Sequence, residues 1–447
     1  MPMSDLIAEL YPVHLDVVKQ RAANALTQGG FDRLVVFSGA PFIQFLDDSP
    51  YPFKTNPHFK AWLPLTENPF CFLVYTPGDK PVLVYYQPSD YWHKTPDAPD
   101  GYWVEHFDVR LVTETADAKA HLQPNGGQTA FIGEWQDEFS DWNLGEKNPE
   151  AIINALHYER AAKSEYEIEC MRRANALGAR AHRRAEQAFR SGASEYEIHQ
   201  AYVAACQHTD EELPYGNIIA LNEHGATLHY QHLERTAPAS IRSFLIDAGA
   251  SYLGYAADIT RTYSFADQEF AGFIDAVDRM QQSLCAAVRP GVDFRDLHVR
   301  THREIAGILS DWKIVKLSAD DVIETGIIST FFPHGLGHLI GLQVHDVGGF
   351  MKDSGGETIP QPEGHPYLRL TRELDVDFVV TIEPGIYFID PLLEELRQSE
   401  HAGRVDWARV ETFRRFGGVR IEDDVRVTED GHENLTRDQF ALELAKE

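Results

Sequence analysis

The chain has 447 residues, of which 43% are hydrophobic, and its formal net charge is -29 at pH 7. This length exceeds the usual size of a single hydrophobic core, so two domains are expected. The negative charge, with no run of Lys or Arg to form a basic patch, argues against a nucleic acid or an anionic membrane as a partner.

The N-terminal segment is acidic and amphipathic, and it lacks the basic start and the unbroken apolar core of a signal peptide. No apolar run approaches the ~20 residues that a membrane-spanning helix needs. The four cysteines are far apart and form no C-x-x-C pair, which disfavours a disulfide framework or a structural zinc site. Such cysteines suit a reducing compartment. We therefore expect a soluble cytoplasmic protein.

The first third of the chain alternates helical and strand patterns. Helical periodicity covers residues 13–27, and LVVF at 34–37 predicts a short buried strand. The sequence PGDK predicts the turn of a hairpin over 70–86, and a further strand is predicted at 129–133. These elements predict a mixed α/β domain over residues 1–160.

Two S-x-x-E capping boxes follow, and they predict helices over 164–190 and 195–208. The remaining predicted elements are strands at 217–221, 242–250 and 255–265, a long helical stretch at 267–312, and strands at 378–388 and 418–427. This order predicts a single mixed α/β catalytic domain over residues 161–447.

Two aspartates flank a predicted turn at residues 251–254. Asp247 ends the apolar segment FLID and Asp258 follows YAA, so a hairpin would bring both carboxylates to one side of a sheet. Taken alone, each has a better structural explanation, because Asp247 would cap a turn and Asp258 would pair with Arg261.

Three histidines then fall within twelve positions, interleaved with glycine. His334 and His338 enclose the motif HGLGH, and His345 lies in VHDVGG. The glycines allow the backbone to approach another group closely. A lone histidine is usually packed or solvated, but this grouping favours a site. The spacing does not decide between His334 and His338 as a ligand.

Two glutamates complete the set of candidate ligands. Glu383 lies among apolar residues in TIEPGIY, where no sequence neighbour neutralises it. Glu422, in RIEDD, would share one face of an extended segment with Arg420 and Asp424. The alternative for that segment is a solvated polar face to which Asp423 and Asp424 belong.

Together these residues provide four carboxylates and an imidazole in apolar surroundings. A metal pair explains them best, because two divalent cations would balance the carboxylates. Oxygen-rich ligation suits Mn²⁺, Co²⁺ or Zn²⁺, whereas a structural zinc site would use more sulfur. Two such ions would generate a hydroxide nucleophile at neutral pH.

The motifs, in this order, resemble those of the pita-bread metallopeptidases, which include methionine aminopeptidases, aminopeptidase P and prolidases. The match comprises Asp247, AADITRT, HGLGH with VHDVGG, TIEPGIY and RIEDD. The chain is especially similar to bacterial Xaa-Pro dipeptidases (prolidases) and the related organophosphorus acid anhydrolases over nearly its whole length. This resemblance implies an α/β (α+β) chain with an N-terminal mixed α/β domain and a C-terminal pita-bread catalytic domain.

The resemblance also implies two divalent ions, Mn²⁺ in the first place and Co²⁺ or Zn²⁺ as alternatives. The implied ligands are Asp247, Asp258, His338, Glu383 and Glu422. His345 would stabilise the oxyanion, and Glu383 would carry a proton from the metal-bridging water, the source of the attacking hydroxide. The implied substrate-binding residues are His229, His334, Arg369, Arg420, Tyr215 and Asp48.

The implied reaction is the hydrolysis of dipeptides that end in proline, with Arg369 receiving the proline carboxylate. The N-terminal domain and the loop at 45–62 would exclude longer peptides, although this loop is as well explained as an apolar dimer contact. The resemblance implies a homodimer in which Asp48 enters from the other subunit. The alternatives are organophosphorus triester or phosphofluoridate hydrolysis, an aminopeptidase P acting on longer peptides, and a non-catalytic binding protein.

Overall fold

The structure, a computed structural model, describes residues 3–123 and 126–445. It divides into two compact units. The first contains Met1–Cys170 with Met351–Thr358, and the second contains Met171–Phe350 with Ile359–Glu447. Across the described ranges, no helix combines the length and the apolar character that a membrane span requires.

The first unit is built around a six-stranded sheet. Its helices are α1 Met3–Gly29, α2 Pro57–Lys60, α3 Ala118–His121 and α4 Glu150–Glu159, and its strands are β1 Arg33–Phe37, β2 Phe72–Tyr75, β3 Val82–Tyr86, β4 Asp108–Val112, β5 Thr129–Ile132 and β6 Glu146–Lys147. The strand order is β4-β3-β2-β1-β5-β6. The predicted hairpin is confirmed, because β2 and β3 pair antiparallel with Leu73 opposite Leu83. The predicted strands β1 and β5 are also confirmed and run parallel.

Helix α1 begins ten residues before the predicted start at Val13 and contains Pro12. Proline usually disrupts a helix interior, so the sequence pattern predicts a helix that starts only at the residue after it. Packing compensates here: Ile7 and Tyr11 are buried, and the Tyr11 hydroxyl donates a hydrogen bond to the carbonyl of Trp62 at 2.6 Å.

The loop at 45–62 is exposed in only one part. Phe45 and Leu46 are 88% and 91% exposed, whereas Phe59 and Trp62 are buried. The surface part therefore lies toward the start of the loop, where large apolar side chains face solvent.

The second unit combines helices with several small sheets. Its helices are α5 Glu165–Arg190, whose first residues belong to the first unit, α6 Glu195–Cys206, α7 Gln268–Cys285, α8 Phe294–Asp311, α9 Ala319–Glu324, α10 Ile328–Phe331, α11 Asp390–Gln398, α12 Trp407–Arg414 and α13 Leu435–Leu444. Its strands are β7 Ile218–Leu221, β8 Ser243–Asp247, β9 Ser251–Tyr252, β10 Tyr255–Ala256, β11 Thr260–Ser264, β12 Val379–Ile382, β13 Gly385–Tyr387, β14 Gly418–Arg420, β15 Asp423–Thr428 and β16 Gly431–Asn434. Both predicted capping-box helices are confirmed, and at α6 the Ser194 side chain and Glu197 cap each other's backbone.

The sheets of this unit have the orders β11-β8-β7, β12-β15-β16, β13-β14 and β10-β9. The predicted turn between the two aspartates is confirmed, because β9 and β10 pair antiparallel around Leu253 and Gly254. Strand β8 pairs antiparallel with β11, with Asp247 opposite Thr260.

The predicted continuous elements are interrupted, and these predictions were wrong in that respect. The stretch 267–312 forms two helices, because Pro290 lacks an N–H and Gly291 adopts a φ of +79°. The strand predicted over 255–265 breaks between β10 and β11. The strands predicted over 378–388 and 418–427 break between β12 and β13 and between β14 and β15.

Candidate metal centre

The two aspartates meet at the end of the β8–β11 pair. Asp247 is the last residue of β8, and Asp258 lies two residues before β11. The Tyr215 hydroxyl oxygen is 2.8 Å from Asp247 Oδ1 and 2.5 Å from Asp258 Oδ1. One hydroxyl hydrogen is thus shared between two carboxylates. Arg261 does not explain Asp258 as a structural ion pair, because the Arg261 guanidinium binds Asp423 at 2.7 Å.

The two glutamates lie at the breaks between strands. Glu383 separates β12 from β13, and Glu422 separates β14 from β15. Strand β12 pairs with β15 and β13 pairs with β14, so the two gaps face each other. The Glu422 N–H donates to the Thr260 carbonyl at 3.0 Å, which joins this gap to the start of β11. Each break in the strand pairing therefore places a glutamate near the two aspartates.

His338 faces these carboxylates with one defined nitrogen. Its Nδ1 lies 3.0 Å from the carbonyl of Leu339, which only accepts, so Nδ1 carries the hydrogen. The other nitrogen, Nε2, lies 3.6 Å from Asp258 Oδ2 and 3.7 Å from Glu383 Oε1. In the neutral ring, the Nε2 lone pair is thus available to a cation.

His334 is engaged in a different set of hydrogen bonds. Its Nδ1–H donates to the carbonyl of Gly335 at 2.8 Å, and its Nε2 accepts from the Tyr387 hydroxyl at 2.8 Å. Arg420 in turn donates to the Tyr387 oxygen at 2.9 Å and to Asp247 Oδ2 at 2.6 Å. Both His334 nitrogens are therefore used within the protein, and burial lowers its pKa to about 3.

Asp258 and Glu422 are buried and Asp247 and Glu383 are half-buried, and Arg420 is the arginine that binds one of these four carboxylates. Burial raises the pKa of Glu383 to about 7, and burial together with the charge of Asp258 raises the pKa of Glu422 well above its usual value. Burial also raises the pKa of Asp247, although Arg420 opposes this. Burial acts in the same direction on Asp258, but the adjacent His338 outweighs it and lowers the pKa of Asp258.

Asp423 is a neighbouring carboxylate whose negative charge the protein itself balances. Asp423 is buried next to Glu422, yet two arginines, Arg261 and Arg437, each bind it at 2.7 Å. Burial alone would raise its pKa, and the two arginines lower that pKa to about 2. The expected alternative of a solvated face for Asp423 and Asp424 was wrong, because both side chains are fully buried.

Asp247, Asp258, Glu383, Glu422 and His338 form one cluster. This cluster fits divalent metal ions. Two donor atoms on one ion, each about 2.0–2.2 Å away, lie roughly 3–4 Å apart, and the separations of 3.6 and 3.7 Å around His338 Nε2 fall in this range. One donor atom each from Asp258, His338 and Glu422 lies within 4.8 Å of the others. Arg261 and Arg437 neutralise Asp423 and do not bind the carboxylates of the cluster. Those carboxylates therefore leave a negative charge that cations can balance.

The remaining predicted site residues lie in both units. His345 is exposed, and its ring centroid is 4.4 Å from that of His338. His229 and Arg369 are also exposed and lie close enough to His345 to act on its charge. Asp48 belongs to the first unit, where it lies in an exposed turn.

Several polar residues that orient the cluster were not predicted. The Thr260 hydroxyl accepts from Arg420 Nε at 3.1 Å and donates to Glu422 Oε2 at 2.6 Å. The Thr381 hydroxyl accepts from the N–H of His338 at 3.1 Å. Thr260 lies in the motif AADITRT, and Thr381 and Tyr387 lie in TIEPGIY. This position inside a motif is the sequence signal that could have indicated them.

Known families match both parts of the chain. The pattern described as "Xaa-Pro dipeptidase, N-terminal domain" matches residues 9–158, and that of "Metallopeptidase family M24" matches residues 169–429. The chain belongs to metallopeptidase family M24. It is accordingly a metal-dependent peptidase with the pita-bread catalytic fold, as expected from the motifs.

Among its relatives are proteins named Xaa-Pro dipeptidase. The chain is 52% identical to the one from Stenotrophomonas maltophilia (strain K279a) over 433 residues, which covers 97% of each chain. It is 52% identical to the one from Xanthomonas campestris pv. campestris (strain B100), which covers 97% of this chain and 98% of the relative. Aminopeptidase P from E. coli with the inhibitor Pro-Leu is a similar structure, with a TM-score of 0.71, 26% identity and coverage of 96% and 98%.

Proposed function

We propose that this protein is a dipeptidase that hydrolyses Xaa-Pro dipeptides. The observation that carries the peptidase part is the group of carboxylates around His338 Nε2, whose charge Arg420 balances only in part. The proline part rests on relatives that are named Xaa-Pro dipeptidase, are 52% identical and match nearly the whole chain. Organophosphorus hydrolysis stays a prediction without a supporting observation.

We propose that two divalent ions, in the first place Mn²⁺, occupy this centre. Their ligands would be Asp247, Asp258, His338, Glu383 and Glu422. When bound, such ions supply Lewis acidity and lower the pKa of water, so that it can attack a peptide carbonyl at neutral pH. The hydrogen-bonded state of His334 supports His338 as the imidazole ligand.

The proton steps fall to Glu383 in this proposal. As a carboxylate at the centre, Glu383 would take a proton from water and give it to the proline nitrogen as the peptide bond breaks. His345 would donate an N–H to the carbonyl oxygen as negative charge develops there, since its exposed ring borders the cluster.

Substrate binding is assigned to the residues around this centre. Arg369 would bind the proline carboxylate, because a guanidinium offers paired donors to a carboxylate. His229, Tyr215 and Arg420 would border the substrate, and His334 would be held among them by its bond to Tyr387. We further propose that Asp48 reaches the site of a second subunit.

We also propose a homodimer, a cytoplasmic location and a domain boundary near residue 160. Exposed apolar side chains at Phe42, Ile43, Phe45 and Leu46 support a dimer contact in the first unit. The four cysteines are buried and form no disulfide, which supports a reducing compartment.

Removal of metal tests the proposed function directly. We expect that protein treated with a chelator releases proline from Ala-Pro or Leu-Pro roughly 10³-fold more slowly, because the lost Lewis acidity is worth several kcal/mol. Mn²⁺ should restore the rate, and metal analysis should report two ions per chain. Protein with two bound ions and no turnover would refute the dipeptidase function, and full turnover without metal would refute the role of the ions.

Arg369 should determine the requirement for a free carboxylate. We expect Arg369→Met to lower kcat/KM for Ala-Pro by about 10- to 100-fold, since a hydrogen bond to a charged group contributes about 1.5–3 kcal/mol. Ala-prolinamide, which has no carboxylate, should be hydrolysed by wild type and variant at similar rates. Arg404→Met, at an exposed arginine of the same unit, is the control. Equal losses on both substrates would contradict the assignment.

A further inference from the structure

Three histidines outside the carboxylate cluster form a second group of metal-type donors. His298 and His302 are four residues apart on α8, so their rings lie on one face of the helix. His365 joins them from the irregular segment 359–372. The ring centroids are 4.5–4.7 Å apart, and one nitrogen from each ring lies within 4.8 Å of the others.

The three rings are neutral near pH 7. Burial lowers the pKa of His298 to about 2 and that of His302 to about 4, and the proximity of the other histidines adds to both shifts. Burial also lowers the pKa of His365. Neutral imidazoles keep a lone pair on one nitrogen, which is the form that binds metals.

The hydrogen bonds of this group are incomplete. His298 Nε2 and His365 Nδ1 are 3.0 Å apart and share one hydrogen bond. Within the described residues, His298 Nδ1 and His302 Nε2 are buried and have no hydrogen-bond partner. Buried polar atoms without a partner are uncommon. Because His298 already directs its Nε2 toward His365, the unpartnered His302 Nε2 is the atom that indicates a missing group between the rings.

We propose that His298, His302 and His365 form a mononuclear site for a borderline divalent transition metal, with Zn²⁺ as the first candidate. Zn²⁺–nitrogen bonds of about 2.0–2.1 Å place two ligand nitrogens of a tetrahedral site about 3.3 Å apart, close to the 3.0 Å between His298 and His365. The partly exposed His365 gives the ion a path from solvent. An all-imidazole site favours Zn²⁺ over Mn²⁺, whereas the oxygen-rich cluster also suits Mn²⁺.

The site would connect a helix to a segment of irregular structure. Segment 359–372 contains Pro360, Pro362 and Pro366, and its local contacts include turns from Pro362 to His365 and from His365 to Leu368. An ion held by α8 and His365 would fix this segment. Arg369 lies four residues beyond His365, so a bound ion would also fix the backbone that carries it. The metal site itself does not depend on the proposed dipeptidase function.

Metal stoichiometry tests the proposal. Wild type, His302→Gln, His365→Gln and the control His432→Gln, at an exposed histidine, are loaded with Mn²⁺, exposed to Zn²⁺ and desalted before metal analysis. We expect wild type and the control to hold one more ion per chain, Mn²⁺ and Zn²⁺ together, than either site variant. Equal totals in all four proteins would overturn the proposal.

Hydrogen exchange provides a second readout, and its deciding comparison is made on wild type alone. Zn²⁺ added to Mn²⁺-loaded wild type should slow amide exchange in segment 359–372 several-fold, and His365→Gln should lose this protection. Unchanged exchange in wild type on addition of Zn²⁺ would refute the fixing of the segment. Because neither measurement uses turnover, failure here is distinct from failure of the dipeptidase assay.

Discussion

Replacement of Glu383 by Gln is expected to lower kcat/KM for Ala-Pro by about 10³- to 10⁴-fold. General acid–base catalysis contributes typically 10²- to 10⁴-fold, and this side chain is proposed to carry the proton as well as to bind metal. Glutamine has nearly the same shape, so the fold around the break between β12 and β13 should persist. Steady-state release of proline, with metal analysis of the same sample, measures both effects.

Glu429→Gln is the matched control for this variant. Glu429 is an exposed glutamate of the same unit, so its replacement removes the same charge from the chain without touching the cluster. It should retain wild-type kcat/KM. If Glu383→Gln hydrolysed Ala-Pro at the wild-type rate with its metals bound, the proton role of Glu383 would be wrong. If the protein were a binding protein without catalysis, the variant would bind its ligand as the wild type does.

The second large effect is expected on stability. Arg420→Met should lower the free energy of unfolding of the metal-free protein by about 3–5 kcal/mol, because loss of one partner leaves a buried charge uncompensated. Arg420 is buried and donates to Asp247, Tyr387 and Thr260. Urea unfolding in the presence of a chelator measures the loss.

Metal should reduce this loss, because a bound cation would replace Arg420 as the counter-charge of Asp247. Repeating the unfolding with saturating Mn²⁺ should therefore give a smaller difference between variant and wild type. Arg414→Met is the control, since the Arg414 pair with Asp390 is largely exposed and such pairs contribute about 0–1 kcal/mol. An Arg420→Met difference that is the same with and without Mn²⁺ would contradict a cation beside Asp247.

The sequence predicted elements well where one local signal dominates. The PGDK turn, the two capping boxes and the short apolar strands each correspond to an observed element, because turn and cap chemistry act within a few residues. Packing against distant residues decided the rest. Pro12 inside α1 is an example, since its helix continues where Ile7 and Tyr11 are buried and Tyr11 binds the distant carbonyl of Trp62.

The sequence predicted which residues belong to the candidate site, but it did not predict how they are arranged in three dimensions. The motifs identified the carboxylates and histidines, which the structure brings together. They did not indicate that Glu383 and Glu422 lie at facing breaks in the strands, since an apolar run with one glutamate resembles a continuous strand. The roles of Thr260 and Tyr387 as hydrogen-bond bridges depend on contacts over 33 to 162 residues of sequence, which no local pattern records.

The break at Glu422 has a consequence for how the protein is made. Arg420 and Asp247 are 173 residues apart in sequence, and Glu422 follows later still, so a nascent chain can contain HGLGH and TIEPGIY well before the cluster is complete. Pairings of such long range form late in folding. Any ion that binds only the finished cluster stabilises the folded chain by mass action, so metal capture would become the closing step of biosynthesis. A ribosome-released chain starved of metal would remain more open to proteolysis than one that matures in its presence.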